Sequence, residues 1–229
     1  MRQFHDIRRR SRYIWPVGTV DYMSIKEKPA RVLSLPLANA KIRAAEHLDF
    51  LAAWLRRPRQ TASVMPSSRY LARLMVDGID PQGGRILELG GGTGVFTREI
   101  LATGLATDRL EVVEINPDFV RSLVRQFPGV DIIQHRAESI SANVSGELGS
   151  YQRVVSGLPL LAMNRSTQRA ILQEAFSLLA PDGVFVQFTY SARSPINQSL
   201  LDSLGLVATR AGQTVRNFPP ATVFHFHRI

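Results

Sequence analysis

The chain has 229 residues, of which 45% are hydrophobic, carries a net charge of +9 and contains no cysteine. That length and apolar content give one globular domain with a short extension and exclude a disordered chain. The missing cysteines exclude disulfide staples and thiolate metal sites, and fit a reducing compartment.

The charge is lopsided. Residues 1–60 hold 13 Lys/Arg against 5 Asp/Glu, whereas the remainder holds 15 against 14. A localised basic segment points to an anionic partner, either phosphate backbone or acidic lipid surface. Residues 1–36 have clustered arginines, three prolines and no sustained hydrophobic period, and read as a disordered basic extension. Met23 offers an alternative start within it. No apolar stretch follows the basic opening residues, so no secretory signal is expected. No run reaches the ~20 apolar residues of a spanning helix.

Residues 37–60 change character. Ile42, Ala45, Leu48, Leu51, Ala52 and Leu55 recur at steps of three and four, which predicts an amphipathic basic helix over 38–57, ended by Pro58. Phe50 falls on the wrong side of the stripe. We read this segment as a candidate membrane-binding element. The main domain spans 61–229. It opens with a helix after Pro66, capped by Ser67 or Ser68, with "RYLARLMV" as its body. Strands are expected at Arg85–Leu89, Leu110–Glu114, Ile132–His135, Arg153–Ser156 and Val184–Thr189. Helices are expected between them at 94–103, 117–126 and 165–180, with a short one near 139–147. "APDG" at 180–183 reads as a turn, and the tail as two strands forming an antiparallel edge pair. The alternation implies an α/β fold: a mostly parallel, doubly wound sheet of seven strands with helices on both faces.

The strongest local signal is "ILELGGGTGVFTREI", Ile86–Ile100, where an apolar run enters a glycine loop and a helix follows. Glycines let the backbone turn sharply and approach a ligand closely. A dinucleotide loop would read G-x-G-x-x-G, but here the register is E-x-G-x-G-x-G, from Glu88 through Gly90, Gly92 and Gly94. Glu114 ends the next expected strand, twenty residues after Gly94. An acid there can accept hydrogen bonds from both hydroxyls of a ribose. A ligand with a ribose and no pyrophosphate suits this arrangement.

The combination resembles the Rossmann-like class I methyltransferases that use S-adenosylmethionine. That resemblance implies that Glu88, Gly90, Gly92 and Thr93 line the cofactor, that Glu114 grips its ribose and that Ile115 packs on its adenine. The third strand of such enzymes usually ends in "GDA"; here it reads His135-Arg136-Ala137-Glu138, with the acid displaced by one residue, so Ala137 carries over better than Glu138. In relatives that methylate adenine in nucleic acid, the fourth strand runs into Asn or Asp, then Pro and an aromatic residue. Here the stretch is "VVSGLPLL", Val154–Leu161. Ser156 can accept one hydrogen bond, but Leu160 offers no face for a base, whose stacking contributes roughly 1–3 kcal/mol.

"LELGGGTGVFTREIL", "VVSGLPLL", "VFVQFTYSARSPI" and "NFPPATVFHF" together resemble the bacterial phospholipid N-methyltransferases, relatives of the ribosomal RNA adenine dimethylases, over about residues 42–229. The resemblance implies stepwise methylation of phosphatidylethanolamine towards phosphatidylcholine, by a monomer that associates reversibly with anionic phospholipid at the inner face of the cytoplasmic membrane. No metal and no nucleic acid are expected. Ser156 and Tyr190 are the catalytic candidates. Tyr70, Leu158, Pro159 and Arg193 are the substrate-binding candidates, with Tyr70 and Tyr190 as aromatic faces for a cationic amine and Arg193 or Arg216 for the lipid phosphate. His225 and His227 share a strand face but have no third ligand, so a metal site is not expected. A ribosomal RNA adenine N6-dimethyltransferase is the alternative reading, and a non-enzymatic RNA- or lipid-binding module the third.

Overall fold

The computed structural model describes residues 69–217 and 219–229. The expected extension, 1–36, and basic helix, 37–60, lie outside the described residues. Helix α1, Arg69–Val76, buries Leu71, Ala72, Met75 and Val76 along one side. Each of its large apolar side chains contributes roughly 1.5–3 kcal/mol by leaving water.

Seven strands form one sheet: β1 (Arg85–Leu89), β2 (Leu110–Glu114), β3 (Asp131–Gln134), β4 (Tyr151–Ser156), β5 (Leu179–Thr189), β6 (Leu206–Thr214) and β7 (Ala221–Arg228). Their order is β3-β2-β1-β4-β5-β7-β6. Strands β1 to β5 are parallel, and β7 runs antiparallel between β5 and β6. The expected antiparallel pair at the C-terminal edge is therefore present, with β6 outermost. All five residues of β2 are buried, Glu111 and Glu114 included, because helices cover both faces of the parallel sheet.

Four more helices follow in order: α2 (Val95–Ala102), α3 (Pro117–Gln126), α4 (Arg165–Leu178) and α5 (Gln198–Ser203). Three are capped by asparagine: the Asn116, Asn164 and Asn197 side chains accept from the backbone N–H of Asp118, Thr167 and Ser199. Helices α1, α2 and α3 pack through Leu71, Ile100 and Leu123 with Ile86 and Val112. Helices α4 and α5 pack through Ile171, Phe176 and Leu200 with Leu87 and Phe185. The sheet thus has a separate core on each side.

Two expectations need correction. No helix forms over 139–147; a 3-10 turn at Ala137–Ser139 gives way to irregular chain. Ser, Asn, Val and Gly there are poor helix formers, and the buried Glu111 carboxylate captures Ser145 through its N–H (2.6 Å) and hydroxyl (2.5 Å). The Tyr151 hydroxyl donates to the same carboxylate. The second correction concerns β5, which begins at Leu179 rather than 184. "APDG" bulges out of the strand, because Leu179 pairs with Tyr151 and Val184 already pairs with Arg153. Helix α5 was not anticipated.

Candidate functional site

The chain leaves β1 and β4 towards opposite faces of the sheet, into α2 and α4, and the crevice between these exits is where open α/β sheets place ligands. The glycine loop forms its floor. Gly90 and Gly91 donate their N–H groups to the Val113 carbonyl at 2.8 and 3.2 Å, which clamps the loop onto the end of β2. Gly90 has φ 79°, and a Cβ there would sit 2.9 Å from Leu158 Cδ2. Gly94 has φ 80°, and a Cβ there would meet the Phe127 ring at 2.4 Å. Both positions need glycine on two independent counts, conformation and space.

Glu114 ends β2 with its carboxylate folded over this loop. Oε2 accepts from Gly92 N–H at 2.9 Å and Oε1 from Asn116 N–H at 2.7 Å. Each oxygen keeps lone-pair capacity, so the oriented carboxylate can accept from two vicinal hydroxyls. Ile115, the next residue, is exposed. Ala137 is buried in the turn after β3, whereas Glu138 is paired with Arg136 at 2.5 Å. Thr93 is exposed at the loop's tip.

Glu88 is fully buried beneath the loop. Its Oε2 accepts from the Thr97 hydroxyl at 2.7 Å, while Oε1 has no partner. Burial pushes its carboxyl up to about 8, and the Glu114 charge adds to the rise. A buried acceptor without a donor fits a ligand that brings a cation or N–H to it. The ammonium of S-adenosylmethionine suits Glu88, its ribose diol suits Glu114, and the side-chain-free loop admits its backbone. Thr97 escaped the sequence reading; a hydroxyl on the inward face of α2, three residues past Gly94, was the available signal.

The fourth strand's exit forms the opposite wall. Gly157 N–H donates to the Leu89 carbonyl at 2.8 Å, which ties this loop to the glycine loop's root. Ser156 is buried, and its hydroxyl oxygen accepts from Leu158 N–H at 3.3 Å, so it is engaged in shaping the loop. Leu158 lies against Gly90, Leu160 is sunk in the core, and Leu161 is exposed. The apolar surface that Leu158 and Leu161 present is thus interrupted at Leu160. Two buried glutamines hold it in place: Gln187 Nε2 donates to the Leu158 carbonyl at 2.9 Å and Gln168 Nε2 to the Leu160 carbonyl at 2.7 Å. Neither was picked out beforehand, although a glutamine inside "VFVQFT" is a polar residue in an apolar strand.

Aromatic rings continue from this wall. Phe96, Phe188 and Tyr190 make successive edge-to-face contacts, with centroids 5.9 and 5.5 Å apart. Burial raises the Tyr190 hydroxyl above its ordinary value, opposed by a hydrogen bond with the Asn217 side chain. It stays protonated at neutral pH and is no proton acceptor there. Tyr70 and Arg216 come together, the guanidinium 5.0 Å above the ring. Arg193 stands exposed on the loop after β5. His225 and His227 have ring centroids 6.2 Å apart, and burial beside Arg153 holds His225 down to about 4. No group of three or more metal-ligating side chains occurs among the described residues.

A family profile described as a methyltransferase domain matches residues 86–183. An ornithine lipid N-methyltransferase from Singulisphaera acidiphila is 32% identical over 146 residues, 61% of this chain and 76% of that one. A ribosomal RNA small subunit methyltransferase A from Nitrosomonas europaea is 35% identical over 104 residues, 45% of this chain and 37% of that one. Among solved structures, the Burkholderia thailandensis 1,6-didemethyltoxoflavin-N1-methyltransferase, with 1,6-didemethyltoxoflavin and S-adenosylhomocysteine bound, superimposes with a TM-score of 0.54. It is 15% identical, over 85% of this chain and 93% of that one.

Proposed function

The chain belongs to the class I S-adenosylmethionine-dependent methyltransferases, and from that premise we propose that it N-methylates a phospholipid headgroup. The substrates are phosphatidylethanolamine and its mono- and dimethyl derivatives, carried towards phosphatidylcholine. The observation that carries this reading is the wall beside the cofactor loop, where Leu158 abuts Gly90, Leu160 is buried and Ser156 is turned into its own loop. A flat base needs a polar acceptor and an aromatic platform, and neither is presented there. The ornithine lipid N-methyltransferase relative supports a lipid amine as acceptor.

The bound cofactor supplies an electrophilic methyl on its sulfonium. Glu88 and Glu114 fix the ends of the cofactor, and the glycine loop sets its depth. The acceptor nitrogen must present a lone pair in line at roughly 3–3.5 Å. Alkylammonium groups titrate near ~10, so partial dehydration against Leu158 and Pro159 favours the neutral amine. Tyr190, protonated, can donate a hydrogen bond at the cleft, and the Tyr70 face receives the cationic product by displacing Arg216. Arg216, or Arg193, then meets the lipid phosphate. Residues 37–60 recruit the protein, as a monomer, to anionic phospholipid at the inner face of the cytoplasmic membrane.

A ribosomal RNA adenine N6-dimethyltransferase is the second reading, favoured by the RNA methyltransferase relative and the basic N-terminal quarter. The two separate in one assay. Purified protein and methyl-labelled S-adenosylmethionine are incubated with phosphatidylethanolamine in phosphatidylglycerol vesicles and, in parallel, with ribosomal RNA. Label is expected in lipid; label in RNA alone overturns the proposal.

A further inference from the structure

The described domain is polarised from one edge of its sheet to the other. At the edge where β1, β4 and β5 begin, the loops and helix ends carry exposed Asp77, Asp80, Asp108, Glu147, Asp182 and Asp202. Two arginines on this edge are folded onto backbone, Arg109 donating to the Pro81 carbonyl at 3.2 Å and Arg228 to the Ala180 carbonyl at 2.7 Å. Arg125 stands exposed in the last turn of α3. At the opposite edge, where the cleft opens, the exposed charges are Arg69, Arg165, Arg193 and Arg216, together with Arg136, which is tied to Glu138, and the Arg121–Asp118 pair at the start of α3. A near balance of charge over residues 61–229 thus conceals a dipole, positive at the mouth.

Exposed aliphatic side chains share that positive edge. Ile115, after β2, is 57% exposed; Leu161, after β4, is 40% exposed; Val215, after β6, is 78% exposed and adjoins Arg216. Exposed apolar residues also occur on the acidic edge, where Leu148 is 67% exposed beside Glu147, so apolarity alone does not single out a face. The coincidence of arginine with aliphatic tips does.

We propose that the carboxyl edge of the sheet is a docking face for an anionic phospholipid bilayer, with the cleft mouth seated against the headgroups. This rests on the lipid reading above and adds an orientation to it. Arginines at the rim meet lipid phosphates, while Leu161 and Val215 enter the region just below. The carboxylates of the far edge are kept in water, where repulsion from the bilayer costs least. RNA would answer the same charge but not the tips: none of Ile115, Leu161 and Val215 is aromatic, so none stacks a base. A lipid amine presented at this face reaches the cofactor without leaving its leaflet.

The absence of cysteine makes the orientation measurable in the full chain. Val215→Cys, Leu161→Cys and Leu148→Cys are each labelled with an environment-sensitive fluorophore and mixed with vesicles of phosphatidylglycerol and phosphatidylcholine containing spin-labelled acyl chains. Labels at 215 and 161 are expected to shift to the blue and be quenched, and the label at 148 to stay in water. In unlabelled protein, Arg193→Gln is expected to lower vesicle partitioning about fivefold, the weight of one surface charge. The proposal is overturned if the protein sediments with vesicles while 215 and 161 remain unquenched, if 148 is quenched instead, or if 215 and 161 respond to ribosomal RNA and not to vesicles. Methyl transfer to phosphatidylethanolamine in detergent micelles is measured separately. Insertion without transfer supports the docking face and removes the substrate reading; transfer without insertion does the reverse.

Discussion

Replacing Glu88 with glutamine keeps the side chain's shape and an acceptor for Thr97, and removes a charge that the ligand-free fold opposes. In the unfolded chain this carboxyl releases its proton near 4.5, whereas burial in the fold holds it to about 8. Between those values the native state binds one more proton than the unfolded state, so its stability falls as pH rises through the window. The slope is about 1.4 kcal/mol per pH unit, and the whole window from 4.5 to about 8 corresponds to roughly 5 kcal/mol. Below 4.5 the carboxyl is protonated in both states and contributes no slope; above about 8 the loss is complete.

The variant lacks this pH dependence. Urea unfolding of ligand-free wild type and Glu88→Gln at pH 5, 6, 7, 8 and 9 is expected to show the variant's advantage widening up to pH 8 and then levelling. Saturating S-adenosylmethionine reverses the ranking, because its ammonium favours the carboxylate and not the amide. Cofactor binding to the wild type below pH 8 therefore releases a proton, which calorimetry in buffers of different ionisation enthalpy counts directly. Stability curves that stay parallel from pH 5 to 9 would refute the reasoning, since they mean that Glu88 ionises in the fold as it does in water.

Glu114→Ala removes the acceptor for the Gly92 and Asn116 N–H groups together with the proposed ribose contact, and is expected to weaken cofactor affinity by at least tenfold in calorimetry; unchanged affinity would place the ribose elsewhere. Gly94→Ala forces a Cβ to 2.4 Å from the Phe127 ring at positive φ and is expected to destabilise the fold by about 2–4 kcal/mol, read as a lowered urea midpoint. Gln187→Leu strips the donor from the Leu158 carbonyl; kcat on the lipid acceptor is expected to fall about tenfold or more while cofactor affinity holds, and equal loss of both would assign Gln187 to the fold at large. His225 is held down to about 4, so its contribution is present above the ordinary value of 6.5 and lost as pH falls through 4. His225→Phe is accordingly expected to flatten the stability decline between pH 6.5 and 4.

The sheet was legible because its signals are local and repeated. Five apolar runs separated by helical periods define parallel strands. The glycine loop was legible because backbone at φ 79° or 80° admits few other residues. The helix expected at 139–147 failed for a non-local reason: a carboxylate on β2, 34 residues away, takes Ser145 and holds the segment irregular. The bulge in β5 is of the same kind. "APDG" reads locally as a turn but lies within the strand as a bulge, because Leu179 still finds Tyr151.

The acceptor wall shows where local reading stops. Ser156, Leu158 and Leu160 were visible as residue types, yet their directions are set by partners on other elements. Gln187 on β5 grips one carbonyl of the loop, Gln168 on α4 grips another, and Gly157 is tied to Leu89 on β1. With three anchors on three elements, the loop has little freedom to remodel around a different acceptor. Restoring base recognition would therefore require more than an aromatic residue at 160: that side chain is packed in the core, and an enlarged ring there strains the packing before it reaches the cleft. Leu160→Phe is expected to lower stability by about 1–3 kcal/mol without conferring RNA methylation. A stable Leu160→Phe protein that methylates adenine would show that the wall adapts to its acceptor, and that shape at this loop does not exclude the base.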